Sequence, residues 1–172
     1  YRAAVVKVED IQEAVDYGLE LMGGIERYVR PGSNVLIKVN MFSEGKAEDG
    51  NVTHPGVALA VAGLCHACGA KVTVAERLPK YDYILQGYEA IEKVAELVAI
   101  EELERDLRAL RGARSLTCQV PWARLIAACD VFINIPGLRT HALTKFSNAM
   151  KNLMGLLPAE TTRYVHEFGL DG

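Results

Sequence analysis

Apolar positions along this chain follow two alternating rhythms. Four short runs read as strands: Ala3 to Val8, Val35 to Val39, Lys71 to Ala75, and the stretch Asp130 to Pro136 with its core Val-Phe-Ile-Asn-Ile. Val35 to Val39 is nearly all apolar, as a strand buried on both faces requires, and the apolar run of Asp130 to Pro136 predicts a central strand. Leu116 to Val120 predicts a further minor strand. Between these runs the apolar residues recur at helical spacing. Ile11, Ala14, Val15, Met22, Ile25 and Val29 define one helix, entered by Asp10 and Glu13 at capping-box spacing and stopped by Pro31-Gly32. His54 to Cys68 predicts a second, with Pro55 in its first turn and Gly69 ending it. Tyr81 to Leu110 is long, charged and amphipathic and predicts two more. Trp122 to Cys129 supplies one or two helical turns, and Thr144 to Leu157 a last helix before Pro158. Met41 to Thr53, rich in Gly and charge, is a loop.

Strands alternating with helices of this length predict an α/β fold: an open, mostly parallel sheet with crossover helices on both faces, Rossmann-like and incomplete at the C-terminus. The 172 residues fit a single domain, and no Pro- or Ser-rich linker divides them. A start at Tyr1 and an end at Gly172 without a closing element predict a piece of a longer chain. Such a piece leaves a sheet edge and an apolar helix face uncovered. The expected partners are therefore another copy of the chain or the missing C-terminal portion.

Half the residues are hydrophobic and 24% are charged, which is enough to build a core. The net charge of −3 argues against a nucleic-acid binder. No apolar run approaches the roughly 18 residues of a membrane span, and the chain opens on a strand-like segment rather than a leader. The expectation is a cytoplasmic protein without a membrane partner. The four cysteines, Cys65, Cys68, Cys118 and Cys129, show no secreted disulfide framework. Cys65-His66-Ala67-Cys68 has redox or half-metal-site spacing, but it ends an apolar helical run and has no second pair to complete a metal set. The core reading of these thiols is the better one, and no metal or cofactor is expected within the chain.

In open parallel sheets, ligands bind at the carboxyl ends of the strands. Lys38, Val39 and Asn40 follow one strand, with Thr53 and His54 at the far end of its loop. Glu76-Arg77 follows another, and Gly137, Leu138, Arg139, Thr140 and His141 follow the strongest. From Val131 to Ala159 there is no Asp or Glu, while Arg139, His141, Lys145 and Lys151 all fall there. Unpaired cations near a strand end predict an anionic ligand. On a helix, Thr144, Lys145, Asn148, Lys151 and Asn152 would share one face, and Phe146, Ala149, Met150, Leu153 and Leu157 the buried one. The other reading of that stripe is an ordinary solvated face. Lys38, a charge inside an apolar strand, points into the crevice or marks an edge. His54 is an acid–base candidate or a helix-start residue, and His66 a surface residue. His141 and His166 are further acid–base candidates, since imidazole titrates near neutrality unaided. No phosphate-loop, dinucleotide or nucleophile-elbow motif is present.

Taken in order, Val35-Leu36-Ile37-Lys38-Val39-Asn40, Thr53-His54-Pro55, Asp130 to Pro136, Thr140-His141 and Lys151-Asn152-Leu153-Met154-Gly155 resemble one prokaryotic family, domain of unknown function number 362. Longer members often carry ferredoxin-type segments and are labelled iron–sulfur cluster-binding proteins. The resemblance therefore implies that any cluster sits in a missing segment or a partner, since this chain lacks such a cysteine set. The family pattern has Pro where Val39 stands and Lys where Arg139 stands; Arg keeps the charge and adds a fork suited to carboxylate or phosphate.

Three functions compete. The first is an enzyme domain for a small anionic substrate, with His141 or His54 as acid–base group. The second is a non-catalytic module for a phosphorylated or carboxylated metabolite. The third is a structural subunit docking an acidic partner.

Overall fold

The computed structural model describes residues 3–41, 46–77, 79–103, 105–109, 119–142 and 145–168. Strands β1 (Asn34–Lys38), β2 (Lys71–Glu76) and β3 (Glu96–Ala99) run in parallel with a later strand, β6 (Val131–Asn134). The spatial order is β3-β2-β1-β6. The chain steps outward from β1 through β2 to β3, then returns to the far side of β1. That reversal puts a crevice at the carboxyl ends of β1 and β6, where open α/β sheets take their ligands.

One face of the sheet carries the larger core. Val35, Ile37 and Val39 pack with Ala58, Ala62 and Cys65 of helix α2 (Pro55–Ala67). Small residues on the helix let it lie close to the strands. Tyr83 and Tyr88 join the same cluster edge to face, with centroids 5.7 Å apart. Their hydroxyls donate to Val98 O and Thr53 O at 2.8 and 2.7 Å, so neither buried oxygen goes unpaired. The other face holds a smaller cluster of Leu36, Ala75, Ile100, Ala123 and Leu156. It is covered by helix α4 (Arg124–Ala128) and by segments near the antiparallel pair β4 (Arg105–Ala109) and β5 (Gln119–Ala123).

The structure corrects several expected elements. Ala3 to Val8 forms no strand. Helix α1 (Ile11–Leu21) starts as expected, with the Asp10 carboxylate accepting from Glu13 N at 2.9 Å. It stops early because Gly23 and Gly24 take φ of 101° and 82°; Ile25 and Val29 then reach the core through a 3₁₀ turn. Tyr81 to Leu110 is not two helices. It contains α3 (Lys80–Leu85), a 3₁₀ turn, β3 and β4, because Gly87 breaks the helix at φ 80° and Leu97 and Ala99 are buried on the sheet. The expected minor strand appears as β5, with Leu116 outside the described residues.

Thr144 to Leu157 is likewise not one helix. It comprises strand β8 (Lys145–Ser147), hairpinned with β7 (Arg139–His141), then α5 (Ala149–Asn152) and a 3₁₀ turn over Leu153–Leu156. Thr144 lies outside the described residues. Asn148 is extended, and its side chain caps α5 by accepting from Ala149 N, so helix cannot run back through it. Helix α6 (Ala159–Phe168) follows. Among the described residues, no helix is long and apolar enough to cross a membrane.

Candidate functional site

Where β1, β2 and β6 end, a cavity of about 180 Å³ opens. Lys38 stands at its floor. Alternation along β1 turns Val35 and Ile37 toward α2, so Leu36 and Lys38 face the thinner layer. Lys38 is fully buried, and its ammonium spends its three N–H bonds on Glu76 Oε2 at 2.6 Å, Asn152 Oδ1 at 3.3 Å and the carbonyl of Val39. Glu76 is equally engaged. Met41 N donates to Oε2 at 3.1 Å and Arg77 N to Oε1 at 2.7 Å. Burial pushes the Lys38 pKa down, and Glu76 opposes that push. A buried pair this well coordinated is a structural tie between two strand ends rather than a vacant charge.

Asparagines carry the tie onward. Asn152 Nδ2 donates to Asn134 Oδ1 at 2.7 Å, and Asn134 Nδ2 donates to Ala149 O at 2.9 Å, fixing α5 over the ends of β1 and β6. Gly155 is where the pair and the 3₁₀ turn meet. A Cβ there would stand 2.8 Å from Glu76 Oε1 and 2.9 Å from Lys38 Nζ, so only glycine fits without displacing the pair.

On the opposite wall, the loops after β1 and β6 are stitched together. Asn40 N donates to Thr53 Oγ1 at 2.8 Å, and that hydroxyl donates to Ile135 O at 2.6 Å. Arg139 then spans the loops, donating to Asn40 Oδ1 at 2.9 Å and to the Asn51 carbonyl. Its Nε is buried with no hydrogen-bond partner. Lys151 lines the same cavity, with no ion pair or hydrogen bond among the described residues. Burial lowers its pKa and the Arg139 charge lowers it further. Arg77 adds a fourth cation, donating to Thr162 Oγ1 at 3.3 Å. The lining thus holds Lys38, Arg77, Arg139 and Lys151 against a single carboxylate, Glu76.

Of the residues expected from sequence, Lys38, Asn40, Arg139, Lys151 and Asn152 line this cavity. Thr53 braces it from behind. The others fall elsewhere. Lys145 and Thr140 are exposed on the hairpin, and Asn148 caps α5. His54 Nδ1 accepts from Gly56 N at 3.1 Å and so caps α2. His141 pairs with Lys145 across β7 and β8 and does not line the cavity. The side chain of His166 lies outside what is described. Glu76, Arg77, Asn134, Ser147 and Gly155 escaped selection. The available signal for two of them, Glu76 and Asn134, was a polar residue closing an apolar strand, as Lys38 does on β1.

Cys65, Cys68 and Cys129 are free thiols, and Cys118 lies outside the described residues. Cys65 is buried, with its pKa pushed up to about 11 by desolvation and secondarily by Cys68, which suits a core thiol and not a redox nucleophile. No cluster of three or more His, Cys, Asp or Glu fit to hold a metal occurs among the described residues. A larger cavity, about 510 Å³, lies between the N-terminal segment and α1. Its walls are Ala, Val, Leu, Ile, Met and one Gly, with no polar side chain to orient a ligand.

A parallel α/β sheet with a cation-lined crevice at its strand ends is the class that the fold and cavity define. The chain belongs to the family domain of unknown function 362, whose model matches residues 35–171. It is similar to a thylakoid-associated protein of Synechocystis sp., 29% identical over 163 residues, with 89% of this chain and 48% of that protein covered. The chain therefore spans about half the length of that relative.

Proposed function

We propose that this chain binds a small anion, a phosphate or carboxylate group, between Arg139 and Lys151. The observation that carries this reading is the charge balance of the cavity: Lys38 is neutralised by Glu76, while Arg139 and Lys151 face each other's charge with no carboxylate partner among the described residues. An anion relieves that repulsion and gives the buried Arg139 Nε an acceptor. A volume near 180 Å³ is below the roughly 300 Å³ at which drug-sized pockets begin, so the ligand is an inorganic anion, a short carboxylate, or the charged end of something larger. No histidine lines the cavity among the described residues, and binding is the role this lining favours. The setting proposed is the cytoplasm, where free thiols persist. Any iron–sulfur partner acts from outside these residues.

Thermal melts with phosphate, sulfate, succinate and adenosine monophosphate test the reading. At about a hundredfold excess over Kd, the gain is about 2.7 kcal/mol, or roughly 5–10 °C for a chain of this size. Arg139→Ala and Lys151→Ala should each abolish the shift. Arg30→Ala, an exposed change, should leave it; Arg105 is unsuitable as a control because it donates to the Ile100 and Leu156 carbonyls. Unchanged melting with every anion sinks the reading.

A further inference from the structure

Given the anion site proposed above, on which this depends, we infer that its ligand is a dianion of the phosphate monoester class and that the Ser147 hydroxyl is one of the donors to it. Ser147 ends β8, is only 6% exposed, and lines the cavity. Its register partner across the hairpin is Arg139, which lines the cavity as well. Residues directly opposite in an antiparallel pair turn their side chains to the same face, so the hydroxyl and the guanidinium enter the cavity side by side. The Ser147 hydroxyl makes no hydrogen bond among the described residues, and the buried Nε of Arg139 has no partner either. Two neighbouring polar groups, both withdrawn from bulk water and both unpaired, define a place for an acceptor.

Charge sets the valence of that acceptor. Lys38 and Glu76 cancel, which leaves Arg77, Arg139 and Lys151 on the lining. A carboxylate or a phosphodiester, with one negative charge, leaves two of these three unmatched. A dianion leaves one. Like charges crowded in a half-closed space repel more strongly than in open water, so the ligand's second charge is favoured. Shape agrees with charge. A carboxylate offers two oxygens in one plane, whereas the three terminal oxygens of a phosphate monoester spread around phosphorus as strong acceptors. Donors come from three elements, Arg139 on β7, Ser147 on β8 and Lys151 on α5, one for each oxygen. The fourth oxygen carries the ester group. A space of about 180 Å³ takes the phosphate and little more, so that group is small or emerges into solvent.

Calorimetric titration of the chain with methyl phosphate, dimethyl phosphate, acetate and sulfate tests this. Methyl phosphate should bind at least about tenfold more tightly than dimethyl phosphate or acetate. Its second proton leaves near pH ~6, as in phosphorylated side chains, whereas sulfate stays a dianion throughout. Measured against sulfate at each pH, its affinity should therefore fall about tenfold between about pH 7.5 and about pH 5. Ser147→Ala should weaken methyl phosphate about tenfold. Without ligand that variant should melt no lower than the parent, since the hydroxyl has no partner to lose. Equal affinity for methyl phosphate, dimethyl phosphate and acetate overturns the dianion while leaving anion binding intact. A flat ratio to sulfate across the pH range does the same. Unchanged affinity in Ser147→Ala removes the hydroxyl from the site. If none of the four binds, this inference and the anion site both fall.

Discussion

Strands β1 and β6 lie side by side with nearly the same chemistry. Val35 pairs with Val131, Leu36 with Phe132, Ile37 with Ile133 and Lys38 with Asn134. Yet Leu36 is 1% exposed and Phe132 37%. The difference is position in the sheet: β1 has a strand on each side, and β6 is the edge of the four-stranded sheet. Both strands close on a polar residue, and there too the surroundings differ. Lys38 is buried and held by Glu76, whereas half-buried Asn134 is held by a side-chain amide and a backbone carbonyl. Apolar runs therefore report that strands exist. Their order in the sheet is decided by residues far away in sequence.

The largest effect expected from this contrast is at the closing residues. Lys38→Met leaves the Glu76 carboxylate buried without its cation and should cost about 3–5 kcal/mol of unfolding free energy. Lys38→Met with Glu76→Gln removes both charges while the amide oxygen still accepts from Met41 N or Arg77 N. Much of the loss should return. Asn134→Ala, at the equivalent place on β6, should cost about 1–2 kcal/mol for its two hydrogen bonds. Urea unfolding measures all three. If the double variant is no more stable than Lys38→Met alone, the ion pair is not the tie described here.

Second in size is the apolar pair. Leu36→Ala empties a closed layer and should cost about 2–5 kcal/mol. Phe132→Ala removes a larger side chain that remains partly in water, and should cost about 1–2 kcal/mol. Equal losses would mean that β6 is covered in solution by something beyond the described residues.

The same contrast marks how far the sequence could be read. The parallel α/β class, the Asp10 cap and the helix from Pro55 were legible because local chemistry agrees with the final structure there. So was a cationic focus near Arg139 and Lys151, because a stretch lacking acids shows in one dimension. The role of Lys38 was not legible. Its neutralising partner Glu76 lies 38 residues away, and only the pairing of β1 with β2 brings them together. The helix expected over Thr144 to Leu157 failed for a related reason. Spacing of apolar residues cannot distinguish a buried helix face from a hairpin and a short helix that expose Phe146 and Met150. The apolar sequence of β6 suggested a central strand for the same cause.

The smallest expected effect is the pH dependence of Lys151, and it tests the cavity most directly. In the folded protein its pKa lies below the ordinary lysine value of 10.5, because burial and then Arg139 disfavour its charge. Between that lowered value and 10.5 the unfolded chain binds the extra proton and the folded chain does not. Stability from this group is therefore present above 10.5, and lost as pH falls through the folded value. A bound anion should reverse the bias by favouring the charged lysine, so binding takes up a proton in this window. Sulfate affinity, followed by calorimetry on the alkaline side of neutrality, should therefore weaken as pH rises. Lys151→Arg keeps its charge throughout the range, so its affinity should stay flat. An equal decline in both proteins would assign the titration to some other group and leave Lys151 outside the site.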